Sequence, residues 1–413
     1  MIGWRHKLPA GALYFALTAT VIISILISAF ILFQFTTEKE VDLYLQSDQL
    51  RVDIENDCLK QLYLSPESLE NNELIQTTRR QWGVLQVITS SGGTSPLRYQ
   101  QTALVGEELL NDSLALVTTD GIHPIALAGR TILKGRFEVP QAQFRRAYIE
   151  GTNFIGSKLV DGQVNRGPKH IPAVRKTTLE QINTYLNTDL SQKDSVVNLE
   201  DLDSLNQSFE ETTIWVNAHA TSDLSGINLK GNVVVYAHES ITIKNNALLN
   251  QVIVVAPKII VERGFNGNAQ FIASEEIMVE ERVELLYPSF LMVSQQMPQT
   301  PSEIVIGEKC NVTGGIMIYQ PQPDRRFPAL LSIDKESIVV GEVYSSGYLE
   351  NKGMLKGRAY ANKLNLSTRS SVYENHIFNA TYDGTALPLG FIGHHWVEED
   401  ALLKPISYER VVE

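Results

Sequence analysis

Four groups of residues carry enough ligating or reactive atoms to do chemistry. The densest is "GHHWVEED", which sets His394, His395 and Trp396 before Glu398, Glu399 and Asp400. Imidazoles and carboxylates in that mixture can ligate a metal or shuttle protons. Neighbouring side chains on a strand or helix point in different directions, however, so the two histidines are poorly placed to share one ion. The expectation is a partly buried tail segment anchored by Trp396, with no metal.

The second group is the loop "PQPDRRFP", with Asp324, Arg325 and Arg326. Glycosidic hydrolysis needs two opposed carboxylates, and this loop has one, so it reads as a charged contact loop. His238, in "YAHES", is a lone histidine in an apolar wall and reads as structural or surface. Cys58 and Cys310 fit no Cys-x-x-Cys or Cys/His zinc spacing and are expected as two separate thiols. The glycines at 135, 151, 156 and 162 lack the Lys-Ser/Thr of a phosphate loop. No Gly-x-Ser-x-Gly, His-Glu-x-x-His or Gly-x-Gly-x-x-Gly motif is present. No catalytic residue and no cofactor is therefore expected.

The formal charge of −12 leaves no basic face for phosphate contact, which excludes a nucleic-acid partner. At 413 residues and 43% apolar composition the chain has room for two or three cored domains.

One segment sets the location. The run from Gly11 to Phe33, "GALYFALTATVIISILISAFILF", has no charge and is long enough, at about 35 Å, to cross a bilayer. Arg5 and Lys7 precede it, and Glu38, Glu40 and Asp42 follow. That asymmetry keeps the N-terminus cytoplasmic and puts the bulk in the periplasm or outside. A cleaved signal peptide would have a shorter apolar core, so an uncleaved anchor is expected.

Beyond it, no proline or glycine occurs until Pro66, so the helix continues as a stem to about residue 63. Leu45, Val52 and Leu59 recur every seven residues with Val41 and Leu62 beside them, marking a seam toward the chain's own β part or a partner. The basic leader "RHKLPAG" followed directly by an apolar helix resembles the N-terminus of type IV pilins and pseudopilins. The resemblance implies processing between Gly11 and Ala12. The sequence departs from that pattern at Ala12, where the family has Phe, and at Ala16, where it has glutamate.

From 64 to 172, short strands separated by glycines indicate a small all-β module, with "WGVLQVIT" as one of its strands. Residues 173–212 read as a helical and acidic connector, the helix opening at a capping box of Thr177 and Glu180.

Residues 213–390 repeat. Ile241, Ile259 and Ile277 are 18 apart, and the preceding apolar bursts begin at Val233, Val252, Phe271 and Phe290, each 19 apart. Two short strands per unit at constant spacing predict a β-solenoid whose coils share one interior. "VVGEVYSSG" and "LKGRAYANK" align at a spacing of 16. The pattern resembles bactofilins and related polymer-forming β-helices; a β-sandwich is the rival fold. Residues 391–413 are expected to be a cap over the last coil or a tail.

The expected protein is mainly β, with a leader at 1–10, a transmembrane helix at 11–35 and a stem at 36–63. Its expected role is a membrane-anchored cell-envelope subunit, pilin-like or polymer-forming, in a secretion, adhesion or motility apparatus. Protein partners would meet the stem or a solenoid end, a homo-oligomer included. The alternative is a surface carbohydrate-active enzyme or glycan-binding rod.

Overall fold

The computed structural model describes residues 10–63, 75–94, 97–109, 112–295, 300–322, 326–398 and 402–412. The chain is mainly β with one long apolar helix at its N-terminal side. It divides into two compact units: Met1–Thr77 with Ser90–Gln101 and Arg410–Glu413, and Thr78–Thr89 with Thr102–Glu409. Arg5 and Lys7 of the leader lie outside the described residues.

In the first unit, helix α1 runs unbroken over 54 residues, Ala10–Tyr63, because nothing after Gly11 breaks it. The few polar residues of its apolar half turn inward on the helix: the hydroxyls of Thr18, Ser24, Thr36 and Thr37 donate to carbonyls three or four residues back. Such bonds leave no donor pointing outward. From Gly11 to Gln46 the helix is almost wholly exposed, including Leu13, Phe15, Ile22, Leu26, Phe30 and Phe33.

Burial begins only in the last third. Of the expected seam Leu62 is buried, whereas Val41, Leu45, Val52 and Leu59 stay exposed; Ile54 and Cys58 complete the packed stripe. The packed stripe meets the strand ends of the same unit. Thr77 hydrogen-bonds Asp57 and lies 2.9 Å from the Ser90 hydroxyl, and Tyr99 donates to Glu55 at 3.4 Å.

The second unit is built on parallel strand ladders. Ile241, Ile259 and Ile277 occupy successive registers, and Ile304, Leu331 and Leu349 continue the column. A second column runs Val197, Val216, Val235, Val254, Phe271, Leu291, Ile316, Val343 and Ala359. Members of both columns other than Val197 are fully buried in one apolar core. Burying each such side chain contributes about 1.5–3 kcal/mol, so the column is the main stabilising feature of the unit. The spacing of 16 reflects register as well: Gly341 pairs with Gly357, Glu342 with Arg358 and Val343 with Ala359. Gly341 has φ +134°, and a Cβ there would sit 1.7 Å from the Gly314 carbonyl oxygen, so no other residue fits.

The ladders extend beyond the repeat at both sides. Residues 196–207, within the expected connector, form strands Val196–Asn198 and Ser204–Gln207, which pair with Trp215–Asn217 and Asn228–Gly231. Residues 114–166, within the expected all-β module, join the far side. Tyr360 pairs with Val117, Leu116 with Phe137 and Phe137 with Val164, all in parallel strands. The chain therefore lays down a segment early that pairs with its latest strands.

Three local expectations are corrected. "WGVLQVIT" is not one strand, because a turn at Gly83 (φ +59°) separates strands Ile75–Trp82 and Leu85–Thr94. Helix α2 (Lys176–Leu186) has no side-chain cap; its N-cap is Arg175, and the expected capping box does not form. Arg175 is held there by other bonds, its N–H donating to the Trp396 carbonyl at 2.9 Å. Of the expected C-terminal cap or tail, the described residues pair with strand Leu97–Glu108 through Ile392–Gly393 and Leu403–Val412, antiparallel at Ile392–Gly393, and not with strands Ile338–Asn351 or Met354–Ser367.

Candidate functional site

The residues of "GHHW" are drawn into the second unit as its most polar buried cluster. Trp396 is fully buried, its ring edge-on to Phe290 at 6.2 Å. Glu342, also without exposure, accepts from the Trp396 backbone N–H at 2.8 Å, and its backbone carbonyl accepts from the indole N–H at 3.1 Å. His395 Nδ1 lies 3.3 Å from Glu342 Oε2, and Arg358 approaches the same oxygen at 3.9 Å while pairing with Asp112 at 3.2 Å. An ion pair so deep is costly to desolvate, and several partners around each charge offset that cost.

A second layer surrounds Glu107. It pairs with Arg175 and accepts from the His395 backbone N–H at 2.9 Å. His394 Nδ1 is 4.0 Å from Glu107, and its Nε2 is 2.8 Å from the Thr178 hydroxyl on α2. Burial works against the Glu107 carboxylate, yet its pKa lies below the ordinary value because positive charge and the His395 N–H hold the anion. An imidazolium at His394 would add to that hold. Burial pushes His394 down to about 4, so at neutral pH the ring is uncharged and Arg175 is the cation that matters.

The sequence hydroxyl, imidazole, carboxylate in Thr178, His394 and Glu107 is one that can activate a nucleophile. Thr178 is fully buried, so its oxygen has no approach for a substrate. A cavity of about 210 Å³ touches Glu107, Arg175 and His394 along with Gln86 and Gln181. Among the described residues no group of three or more His, Cys, Asp or Glu is arranged to hold a metal ion. The cluster is an anchor: it ties residues from 107, 175, 342 and 394–396 to one place.

The other sequence-marked residues are scattered. Gly11 and Ala12 sit in the first turn of α1, fully open, with nothing within 4 Å of a Cβ added at Gly11. Arg326 is exposed, its guanidinium 5.8 Å from the Phe327 ring; Asp324 and Arg325, the rest of the contact loop, lie outside the described residues. His238 is exposed beside Tyr236, ring centroids 5.2 Å apart. Cys58 and Cys310 are free, buried thiols. Burial first, and then the Asp57 charge, pushes Cys58 up to about 11.

Sequence reading missed one pair of carboxylates. Register sets Glu276 beside Glu303, and burial, with the Glu276 charge, raises the Glu303 pKa. Nothing in the spacing of the repeat announces it, because the insertion before 302 changes the count. The most exposed aromatics of this unit, Tyr148, Tyr287 and Tyr408, stand on different strands and form no row.

No protein-family model matches the chain, and no curated protein matches it. Among solved structures, the competence-associated pilin ComZ from Thermus thermophilus is similar over 85% of this chain and 88% of its own, at 10% identity and a TM-score of 0.26. A likeness that loose carries no weight for fold or function.

Proposed function

We propose that the chain is a membrane-anchored subunit of the cell envelope, in which one apolar helix holds a β-solenoid body on the side away from the cytosol. The observation that carries this reading is the exposure pattern of α1. Its apolar half is bare from Gly11 to Gln46, and only its last third packs on protein. Each Leu, Ile or Phe left bare in water forgoes about 1.5–3 kcal/mol, and a lipid phase removes that penalty. Arg5 and Lys7 before the span, against Glu38, Glu40 and Asp42 after it, support an N-terminus inside.

The in-register columns of the second unit support the solenoid: each apolar position finds its equivalent one coil on, as the 18–19-residue spacing requires. The leader and helix support a pilin-like role, and an apparatus for secretion, adhesion or motility is the setting that suits an anchored, non-catalytic body. The second reading, a carbohydrate-active or glycan-binding surface, has one observation in its favour, the Glu276 and Glu303 pair. A loss of glycan binding or hydrolysis in Glu303→Gln would support it.

The test is extraction and N-terminal sequencing of the full chain. Alkaline carbonate should leave it in the membrane pellet, and Ile25→Lys with Phe30→Lys should release it. A mature N-terminus at Ala12 supports pilin-type processing, whereas an intact Met1 restricts the reading to a plain anchor. Release of the unaltered chain by carbonate would overturn the proposal.

A further inference from the structure

We infer that the cavity walled by Gln86, Glu107, Arg175, Gln181 and His394 binds a single sugar ring, an uncharged polyol held by amide side chains. Neither Glu276 nor Glu303 lines this space, so binding there needs neither that pair nor the membrane anchor.

Every lining residue belongs to the second unit. Gln81 and Gln86 come from strands Ile75–Trp82 and Leu85–Thr94, and Glu107 from Leu97–Glu108. Thr177 and Gln181 come from α2, four residues apart and so on one face of it. Gln81 and Thr177 are exposed, so the space opens to solvent on their side. Val84 and Val105 also line it and are buried, which gives it an apolar floor.

Two acceptors in these walls are unused. The Oε1 atoms of Gln86 and Gln181 are closed to solvent, and neither has a hydrogen-bond partner among the described residues. A buried acceptor left unpaired is costly, and two of them around one cavity call for a guest that donates to both.

The charges of the walls cancel. Glu107 and Arg175 pair with one another; Glu107 also accepts from the His395 N–H, and Arg175 donates to the Val397 carbonyl at 2.9 Å. With the His394 ring uncharged at neutral pH, no net charge is left to select an ion. Hydroxyls suit such walls, because each hydroxyl both donates and accepts, as each glutamine amide does. The C–H face of a sugar ring suits the floor of Val84 and Val105. At about 210 Å³ the space equals about seven liquid waters of about 30 Å³ each, room for one ring and not for a chain. Sugar hydroxyls reproduce the bonds of the waters they displace, which keeps the exchange favourable.

The test is calorimetric titration of the full chain in a polyoxyethylene detergent, which has no sugar headgroup. The probes are glucose, galactose, mannose and N-acetylglucosamine, with ethylammonium chloride and sodium acetate as charged controls. At least one sugar should bind, and Gln86→Leu and Gln181→Leu should each weaken it about tenfold through the loss of a hydrogen bond. Neither substitution should lower the urea midpoint, since each removes a buried oxygen that has no partner. A lowered midpoint in both would mark the amides as structural and overturn the inference. So would sugar binding indifferent to both substitutions, binding of ethylammonium or acetate in place of the sugars, or no binding at all, the mark of ordered water only.

The matching tetrasaccharide separates two sources of the same ring. Tighter binding of the tetrasaccharide would assign the site to a chain end, and its exclusion would assign it to a free sugar; either supports a sugar site. Carbonate extraction reads the anchor and these titrations read the cavity, so either proposal can fail alone.

Discussion

Acid should loosen the second unit through His394. The ring is buried, and its environment lowers its pKa from the ordinary 6.5 to about 4. Between those values the unfolded chain binds a proton that the folded chain refuses, so stability falls as pH drops from 6.5 to about 4. The drop corresponds to about 3 kcal/mol, at about 1.4 kcal/mol for each tenfold in proton affinity. That is a large part of a typical net stability of about 5–15 kcal/mol. Above pH 6.5 neither state is protonated and the ring gives no pH dependence.

The groups facing His394 are Glu107, Arg175 and His395. The depressed Glu107 carboxyl adds stability that is present above its unfolded value and lost as pH falls through its folded value, so it acts below about 4.5 and reinforces the trend there. The assay is urea unfolding of the detergent-solubilised full chain from pH 7.5 to 4, followed by tryptophan fluorescence. Trp396, 5.1 Å from the His394 ring, reports locally. His394→Gln should be less stable at pH 7.5, through loss of the Thr178 bond, but should show a flatter dependence between pH 6.5 and 4.5. Midpoints that fall in parallel for both proteins across that window would refute the role of His394.

Other consequences follow from the same geometry. Gly341→Ala should lower stability by about 2 kcal/mol or more, because its Cβ would strike the Gly314 carbonyl and its φ suits no other residue; a urea midpoint near wild type would contradict the close approach. Glu342→Ala should lower it by about 1–3 kcal/mol, since the Trp396 N–H would remain buried without its acceptor while Arg358 keeps Asp112. Cys58, pushed up to about 11 mainly by burial and then by Asp57, should resist maleimide at pH 7 and react once urea unfolds the first unit. Fast labelling of the native chain would contradict that burial.

The parallel register was legible in part: Ile241, Ile259 and Ile277, equally spaced in sequence, are register partners in successive parallel strands. The long apolar helix was legible because the run from Gly11 to Phe33 has no alternative way to satisfy its surface. Pairing between distant segments left no such trace. Nothing around Val117 says that it pairs with Tyr360, because the two strands are far apart in sequence. The Trp396 anchor was legible from the residue types, but the partners of the two histidines were not, since Glu107 and Glu342 meet them only after the whole unit has formed. Of the stem seam only Leu62 is buried, because apolar type alone does not choose a face. Leu50 lies against Gly93 and Cys58 against Ser90, both in a later strand.

The location of the body is the point on which the functional account turns. Asn246 is exposed on a turn of the second unit, while both native thiols are buried, so Asn246→Cys gives a single accessible label site. Spheroplasts expressing that variant should be labelled by a membrane-impermeant maleimide without lysis. Labelling that requires lysis would place the body in the cytosol and contradict the account.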